Sequence, residues 1–216
     1  MFGAAIAEIR GRSFVCQRLL AIIQGLDQAK SIESSAFKGL MFVQLYGVYE
    51  HAVNSAVQSA ISTIRDDQLS PSQLHHRLLT LVLDAEFMAV VDTGRSKTWS
   101  RRLELVERFE DRSEFSSLSN TIFPADGSHY RIKQLRTIWE IFGLTVPVVP
   151  EQRLLGRVDE LVENRNAIAH GRRTPEDVGS RYSVGEIAKT ITDVEMIATH
   201  IVESIERHCI DGGLRR

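Results

Sequence analysis

The sequence predicts an all-α protein, an up-and-down bundle with additional helices, and three observations predict it. Apolar residues recur at spacings of three and four along most of the 216-residue chain. Two stretches carry the Ser-x-x-Gln/Glu signature of a helix start, Ser70-Pro71-Ser72-Gln73 and Ser183-Val184-Gly185-Glu186. No convincing strand, internal repeat or low-complexity tract interrupts the pattern. Amphipathic helices joined by short to moderate connections bury their stripes against one another.

Each element follows from its own residues. Phe2, Ile6, Ile9, Val15, Leu19, Ile22/Ile23 and Leu26 mark a first helix to about Ala29, with a kink predicted at Gly11-Arg12-Ser13. The second and longest runs from about Ser34 to Arg65, its buried side drawn by Phe37, Leu40/Met41, Val48, Val53, Val57, Ile61 and Ile64. A third starts at the Ser70 capping box and runs to about Val91, where Asp92-Thr93-Gly94 ends it. Residues 98–112 repeat the helical spacing through Leu103, Val106 and Phe109. Ser113 to Ser128 reads as irregular, with Phe123-Pro124 and Asp126-Gly127 as turns. A helix from about His129 to Phe142 precedes an extended Thr145–Pro150 connector, where two prolines forbid helix. Another helix then runs from about Glu151 to the end of Glu163-Asn164-Arg165-Asn166-Ala167-Ile168-Ala169-His170-Gly171. A polar loop Arg172–Arg181 leads to a last helix through about His208. The reading is one domain over residues 1–211 with a flexible tail, 212–216.

The totals exclude several classes. Hydrophobic content of 43% and charged content of 25% are those of a soluble globular protein. A net charge of −2 leaves any nucleic-acid affinity to a local patch. Cys16 and Cys209 lie far apart without metal-type spacing, which points to buried thiols in a reducing compartment. Residues 2–7 are too short for a signal sequence, and no apolar run approaches a membrane span. The expectation is a cytoplasmic protein that does not enter a membrane. There is no phosphate-binding glycine loop and no dinucleotide fingerprint. His75 and His76 are helical neighbours that diverge by about 100°, a poor metal site best read as surface. His200 and His208 lack matching ligands, and the serines of 113–119 are loop formers.

The basic run Arg95–Arg108 encloses Trp99 and has two readings. Arginines interleaved with an aromatic suit a surface that tracks a phosphate backbone and stacks bases, with Arg101 and Arg102 as the RNA contacts. The interspersed Glu104, Glu107 and Glu110 favour instead a solvated helix face with Trp99 capping the core.

The Glu163–Gly171 stretch stands apart. Leu154, Val158, Leu161, Arg165 and Ile168 share one helix face, and Leu155, Val158, Val162, Asn166 and Ala169 the row beside it. A cation and an amide thus replace apolar residues side by side. Taking a guanidinium from water without a partner costs on the order of several kcal/mol, so Arg165 needs an acid, a ligand or a wet cleft. On the second helix Tyr46, Glu50, Val53 and Val57 share a row that is interrupted by a carboxylate. Glu50 is expected to orient Arg165, directly or through Asn166; the alternative places Glu50 at a wet helix margin. His170 follows Asn166 by one turn, and Gly171 can release the chain in a left-handed conformation.

Arg165-Asn166-Ala167-Ile168-Ala169-His170-Gly171 resembles the Arg-x4–6-His motif of the HEPN superfamily. The longer stretch from Leu161 looks most like its RiboL-PSP-type groups, in which an aromatic-rich earlier helix carries a glutamate, here Glu50 beside Tyr46. The resemblance implies metal-independent RNA cleavage by 2′-hydroxyl attack, leaving a 2′,3′-cyclic phosphate, with no cofactor. It implies His170 as general base or acid, Arg165 as stabiliser of phosphoryl charge, and Asn166 as holder of the imidazole or the phosphate. Ideal helix geometry separates Arg165 from His170 by about 140° in azimuth, and a two-fold dimer with both His170 side chains in one cleft relieves this. A homodimer through the motif helix is therefore expected. Function in toxin or phage defence, with a cognate antitoxin protein as partner, is a further implication. The variant with tyrosine two residues after the histidine is absent, since Arg172 stands there. Arg172 and Arg173 add positive charge suited to RNA. The competing class is a non-catalytic helical module that binds nucleotides, RNA or protein.

Overall fold

Periodicity in the sequence becomes helix nearly everywhere in the computed structural model, which describes residues 1–29, 31–113, 115, 118 and 130–216. The helices are α1 (Phe2–Gln28), α2 (Glu33–Asp66), α3 (Leu79–Val82), α4 (Asp84–Val91), α5 (Thr98–Phe109), α6 (Ile132–Phe142), α7 (Leu155–Ala169), α8 (Pro175–Gly179) and α9 (Val184–Ile210). Among the described residues the one strand-like pairing is an isolated bridge between Leu74 and Arg215. None of these helices is long and apolar enough to cross a membrane. The turns read at Phe123-Pro124 and Asp126-Gly127, and the helix start read at His129, lie outside the described residues.

Where the sequence predicts one domain, contacts divide the chain into two compact units. The first is Met1–Ala56, His129–Leu135 and Pro147–Glu203; the second is Val57–Ser128, Arg136–Val146 and Ser204–Arg216.

In the first unit α1 and α2 form an antiparallel pair. Asp27 accepts hydrogen bonds from Ser34 Oγ at 2.9 Å and Lys38 Nζ at 3.2 Å, and Glu8 meets His51 at 3.1 Å toward the other end. α1 runs unbroken through Gly11-Arg12-Ser13, against the predicted kink. The Glu8–Arg12 pair (2.6 Å) braces that turn, and Ser13 faces inward. On α2, Met41, Phe42, Leu45, Tyr46, Val48 and Tyr49 are buried, but Phe37 and Leu40 are exposed, contrary to their assignment to the buried side. In those turns Gly39 faces inward instead, because α8 lies directly on it. A Cβ on Gly39 would enter the van der Waals shell of the Pro175 carbonyl, and one on Gly179 that of the Ser35 carbonyl. α9 buries Ile187, Ile191, Val194, Ile197, Ala198 and Ile201, and its buried Asp193 accepts from Arg153 at 2.7 Å and Arg157 at 3.1 Å. Those bonds clamp the start of α7 to α9. The Ser183–Glu186 capping box that opens α9 forms as predicted.

In the second unit the Ser70 box also forms, with Ser70 N donating to Gln73 Oε1 at 2.9 Å. The predicted long helix does not follow. Two 3₁₀ turns, Pro71–Gln73 and His76–Leu78, lead into α3 and α4, and Leu74 is extended. The C-terminal tail explains this. His75 N donates to Leu214 O at 2.8 Å, Arg216 N to Gln73 O at 2.9 Å, and Arg216 Nε to Leu74 O at 3.1 Å. Backbone groups of residues 73–75 that a helix would use are thus taken by residues 214–216. The tail predicted to be flexible is docked, with Leu214 buried. With His75 standing ahead of the 3₁₀ turn that His76 opens, the two do not diverge as α-helical neighbours would; their ring centroids lie 4.5 Å apart, His75 half-buried and His76 exposed. α4 and α5 pair through Phe87 and Phe109 (6.2 Å) and through Arg108–Glu86 (3.5 Å).

Two expectations follow. Gly39→Ala should cost about 1–3 kcal/mol, the usual penalty of overpacking, seen as a lowered urea midpoint; an unchanged midpoint would show that α8 can move away freely. Burial pushes the Cys16 thiol up to about 11 and Cys209 to about 12. Thiolate at pH 8 is then on the order of a thousandth of Cys16 or less, so native protein should resist thiol reagents until it unfolds. Both folded-state values are raised, so the neutral thiols, Cys16 buried and Cys209 half-buried, stabilise the fold below the ordinary thiol range near 8.5. That contribution falls as pH climbs toward 11.

Candidate functional site

The site is built on α7, in the first unit. A 3₁₀ turn, Gln152–Leu154, takes the place of the predicted first helical residues, and α7 begins at Leu155. Leu154, Val158, Leu161 and Val162 are buried, so the stripe read from the sequence does face inward. Its interruption is real: Asn166 is 5% exposed and Arg165 half-buried.

What receives the guanidinium is an aromatic face. Arg165 Cζ lies 4.8 Å from the centroid of the Tyr46 ring, and Nη1 donates to Asn166 Oδ1 at 3.1 Å. Tyr46 is itself 2% exposed and its hydroxyl donates to Glu50 Oε1 at 3.2 Å. The chain Glu50–Tyr46–Arg165–Asn166 therefore exists, but its order differs from the expectation. Glu50 acts on the arginine through the phenol, neither by direct contact nor through Asn166. Among the described residues no acid forms an ion pair with Arg165. A ring face attracts a cation while leaving the other edge of the guanidinium in water, so the charge is held without being neutralised. Burial above all, and then the charge of Glu50, push the Tyr46 hydroxyl well above its ordinary pKa. It stays a protonated donor.

Supports unread in the sequence hold this cluster. Tyr49 packs edge-on to Tyr46 at 6.2 Å and donates to Tyr130 O at 2.8 Å. Asn164, buried beside Arg165, donates to the Tyr182 hydroxyl at 2.8 Å, which donates to Glu160 at 2.8 Å and packs on Phe42 at 4.7 Å. That pins the azimuth of α7, hence where Arg165 points. Asn164 follows Leu161 by three residues, a polar residue close to the core stripe, and this is the signal that could have found it.

His170 stands at the C-cap, with φ −94° and ψ 8°, its N–H still donating to Asn166 O at 3.1 Å. Its side chain is exposed. It lies about 7.5 Å along the axis from Arg165 at ideal rise. Gly171 has φ +66°, the left-handed residue read from the sequence. Arg173 N then donates to Ala167 O at 3.0 Å, folding Arg172 and Arg173 back beside the helix end. Arg172 meets Glu163 at 3.3 Å, as does Arg131 at 3.2 Å. The Arg131 hydrogen bond chiefly, with the charges of Arg172 and Arg173, holds the Glu163 carboxyl below its ordinary range. The stretch 172–181, read as loop, contains α8. Thr174 Oγ1 accepts from Asp177 N at 3.2 Å and Asp177 accepts from Thr174 N at 3.3 Å, a capping box with proline first. Aspartate in place of Glu or Gln hid that signal.

Arg101 and Arg102 lie elsewhere, on α5 in the second unit, Arg101 paired with Glu104 at 2.6 Å. Trp99 does not cap the core; it is 77% exposed. Among the described residues no three of His, Cys, Asp or Glu are grouped to hold a metal ion. The α7 cluster supplies a fixed cation with one edge in water, an amide beside it and an imidazole at the helix end, the groups a phosphodiester needs for charge stabilisation and proton transfer.

Tyr46→Phe removes the hydroxyl's bonds to Glu50 and to the Tyr130 backbone while keeping the ring, and should cost about 1 kcal/mol. Tyr46→Leu also removes the platform and should cost about 2 kcal/mol or more. Urea unfolding of both reads the difference, and equal losses would show that the ring contributes nothing to holding Arg165.

A sequence model of the RiboL-PSP-HEPN family matches residues 13–207, a span that takes in Tyr46, Glu50, Arg165, Asn166 and His170. No curated protein and no solved structure matches the chain. The match runs through nearly all of the 216 residues, over a fold that is helical throughout its described elements, and the chain belongs to the RiboL-PSP-HEPN family.

Proposed function

We propose that this protein is a metal-independent endoribonuclease of toxin or phage-defence type, acting as a homodimer in the cytoplasm. HEPN domains are often ribonucleases. The observation that carries the reading is a half-buried Arg165 held on Tyr46, with no acid paired to it among the described residues, on a helix whose next exposed polar groups are His170, Arg172 and Arg173. A guanidinium kept charged and unneutralised suits the equatorial oxygens of a phosphodiester.

In this mechanism His170 takes the proton from a ribose 2′-hydroxyl, and the 2′-oxygen attacks the adjacent phosphorus. The bond from phosphorus to the 5′-oxygen breaks, and that oxygen takes a proton from an imidazolium. The products are a 2′,3′-cyclic phosphate and a 5′-hydroxyl. Arg165 balances the charge that builds on the phosphoryl oxygens, and Asn166 holds its guanidinium. Two motif helices facing across a two-fold axis would supply one His170 as base and the other as acid. The exposure of His170 favours the second reading, a non-catalytic module that binds RNA, nucleotides or a protein partner through the same face. A toxin of this kind would have a cognate antitoxin protein.

Purified protein incubated with RNA and EDTA should give cyclic-phosphate ends, identified by mass. His170→Ala and Arg165→Ala should each lower the rate about 100-fold or more. Equal cleavage by wild type and His170→Ala, or cleavage by neither together with equal toxicity of wild type and Arg165→Ala in cells, would sink the nuclease reading. Light scattering should give twice the 24.3 kDa chain mass; full activity in a monomer would remove the dimer.

A further inference from the structure

We infer that the first turns of α5 and the 3₁₀ turn before it, Arg95–Lys97, form a second contact for single-stranded RNA, with Trp99 as a base-stacking platform and Arg102, Arg95 and Lys97 as its phosphate contacts. The inference rests on the reading that RNA is the ligand.

Three observations carry it. The indole of Trp99 is 77% exposed, although this is the side chain that most gains from burial. The Arg102 guanidinium lies over it, Cζ 5.1 Å from the ring centroid. From Thr93 to Leu103 the chain carries four cations, Arg95, Lys97, Arg101 and Arg102, and no acid. Of the acids around it, Glu104 pairs with Arg101, and Asp111 and Glu86 pair with Arg108, while Asp92 and Glu107 flank the stretch on either side. Among the described residues Arg95, Lys97 and Arg102 form no ion pair.

This combination discriminates between occupants. Leu103 and Val106 continue the exposed row, at 60% and 59%, so an apolar protein groove is the rival. Such a groove would have to desolvate the Arg102 guanidinium along with the indole, without an acid beside it. A nucleotide has no such cost: its base stacks on the indole in the manner the guanidinium already does, and its phosphate meets the cations. Stacking needs an unpaired base, which selects single strands, and the mode is tolerant of sequence. Trp99, Arg95, Lys97 and Arg102 belong to the second unit and are assigned no part in the chemistry at α7.

A 2′-O-methyl oligouridine, which lacks the attacking hydroxyl, is the probe. The chain has two tryptophans, and Trp139 is buried with its Nε1 bonded to Val146 O at 3.0 Å, so intrinsic quenching reads Trp99. Titration should quench wild-type emission. Trp99→Ala should abolish the quench and weaken binding of the labelled oligonucleotide about tenfold, with Trp99→Phe in between. Arg102→Gln should weaken binding and flatten its dependence on salt. Trp99 is largely exposed and buries little on folding, so these variants should melt with wild type. Loss of binding in Trp99→Ala supports the platform even if His170→Ala still cleaves, a result that sinks only the catalytic reading. Unaltered affinity in Trp99→Ala overturns the inference, as does equal competition by duplex RNA. So does a change in oligomeric state with RNA affinity unchanged, which would assign the face to protein.

Discussion

The contact between Arg165 and Tyr46 is the constraint from which the first unit's arrangement makes sense. A guanidinium on a core-facing row has three outlets: an acid, open water or a π face. Here it takes the third, with Tyr46 buried beneath it and Asn166 accepting from its flank. An acid partner would have stabilised the helix pair just as well and left no charge to offer. The π face leaves a full positive charge at the margin of the core, and Glu50 is kept one phenol away from neutralising it.

Holding that contact requires α7 to keep its rotation and its distance from α2. Asp193 clamps the start of α7 through Arg153 and Arg157. Near the end, Asn164 reaches Tyr182, which lies on Phe42 of α2. Beyond the left-handed Gly171, α8 settles on α2 where Gly39 faces the Pro175 carbonyl and Gly179 the Ser35 carbonyl, and the Arg173 N–H bond to Ala167 O returns Arg172 and Arg173 toward the helix end. Apart from the Phe42–Tyr182 ring contact, these supports are polar or small, the kinds of residue that periodicity does not weigh. That is why hydrophobic pattern alone leaves them unread.

The chain also contains places where a sound local signal meets a stronger distant one. Ser70-Pro71-Ser72-Gln73 forms its capping box and still does not start a long helix, because residues 214–216 pair with the backbone that the helix would need. Trp99 shows the reverse case. Local charge alternation argues that its ring closes the core, yet α4 and α5 pair through Phe87 and Phe109 and leave the indole outside. In both, the deciding contact comes from residues remote in sequence or from a helix partner that no single-helix pattern can name.

What the sequence by itself determined is the helical class, most element boundaries, the inward stripe of α7 and its interruption at Arg165 and Asn166, and the left-handed exit at Gly171. These are local quantities: spacing, caps and the φ freedom of glycine act within a turn or two. Only the tertiary structure decided that Arg165 rests on Tyr46, that Glu50 acts through a phenol, that the tail docks, and that Trp99 faces solvent. Those outcomes depend on which faces meet, and a helix's own sequence shows which face is apolar without showing what will cover it.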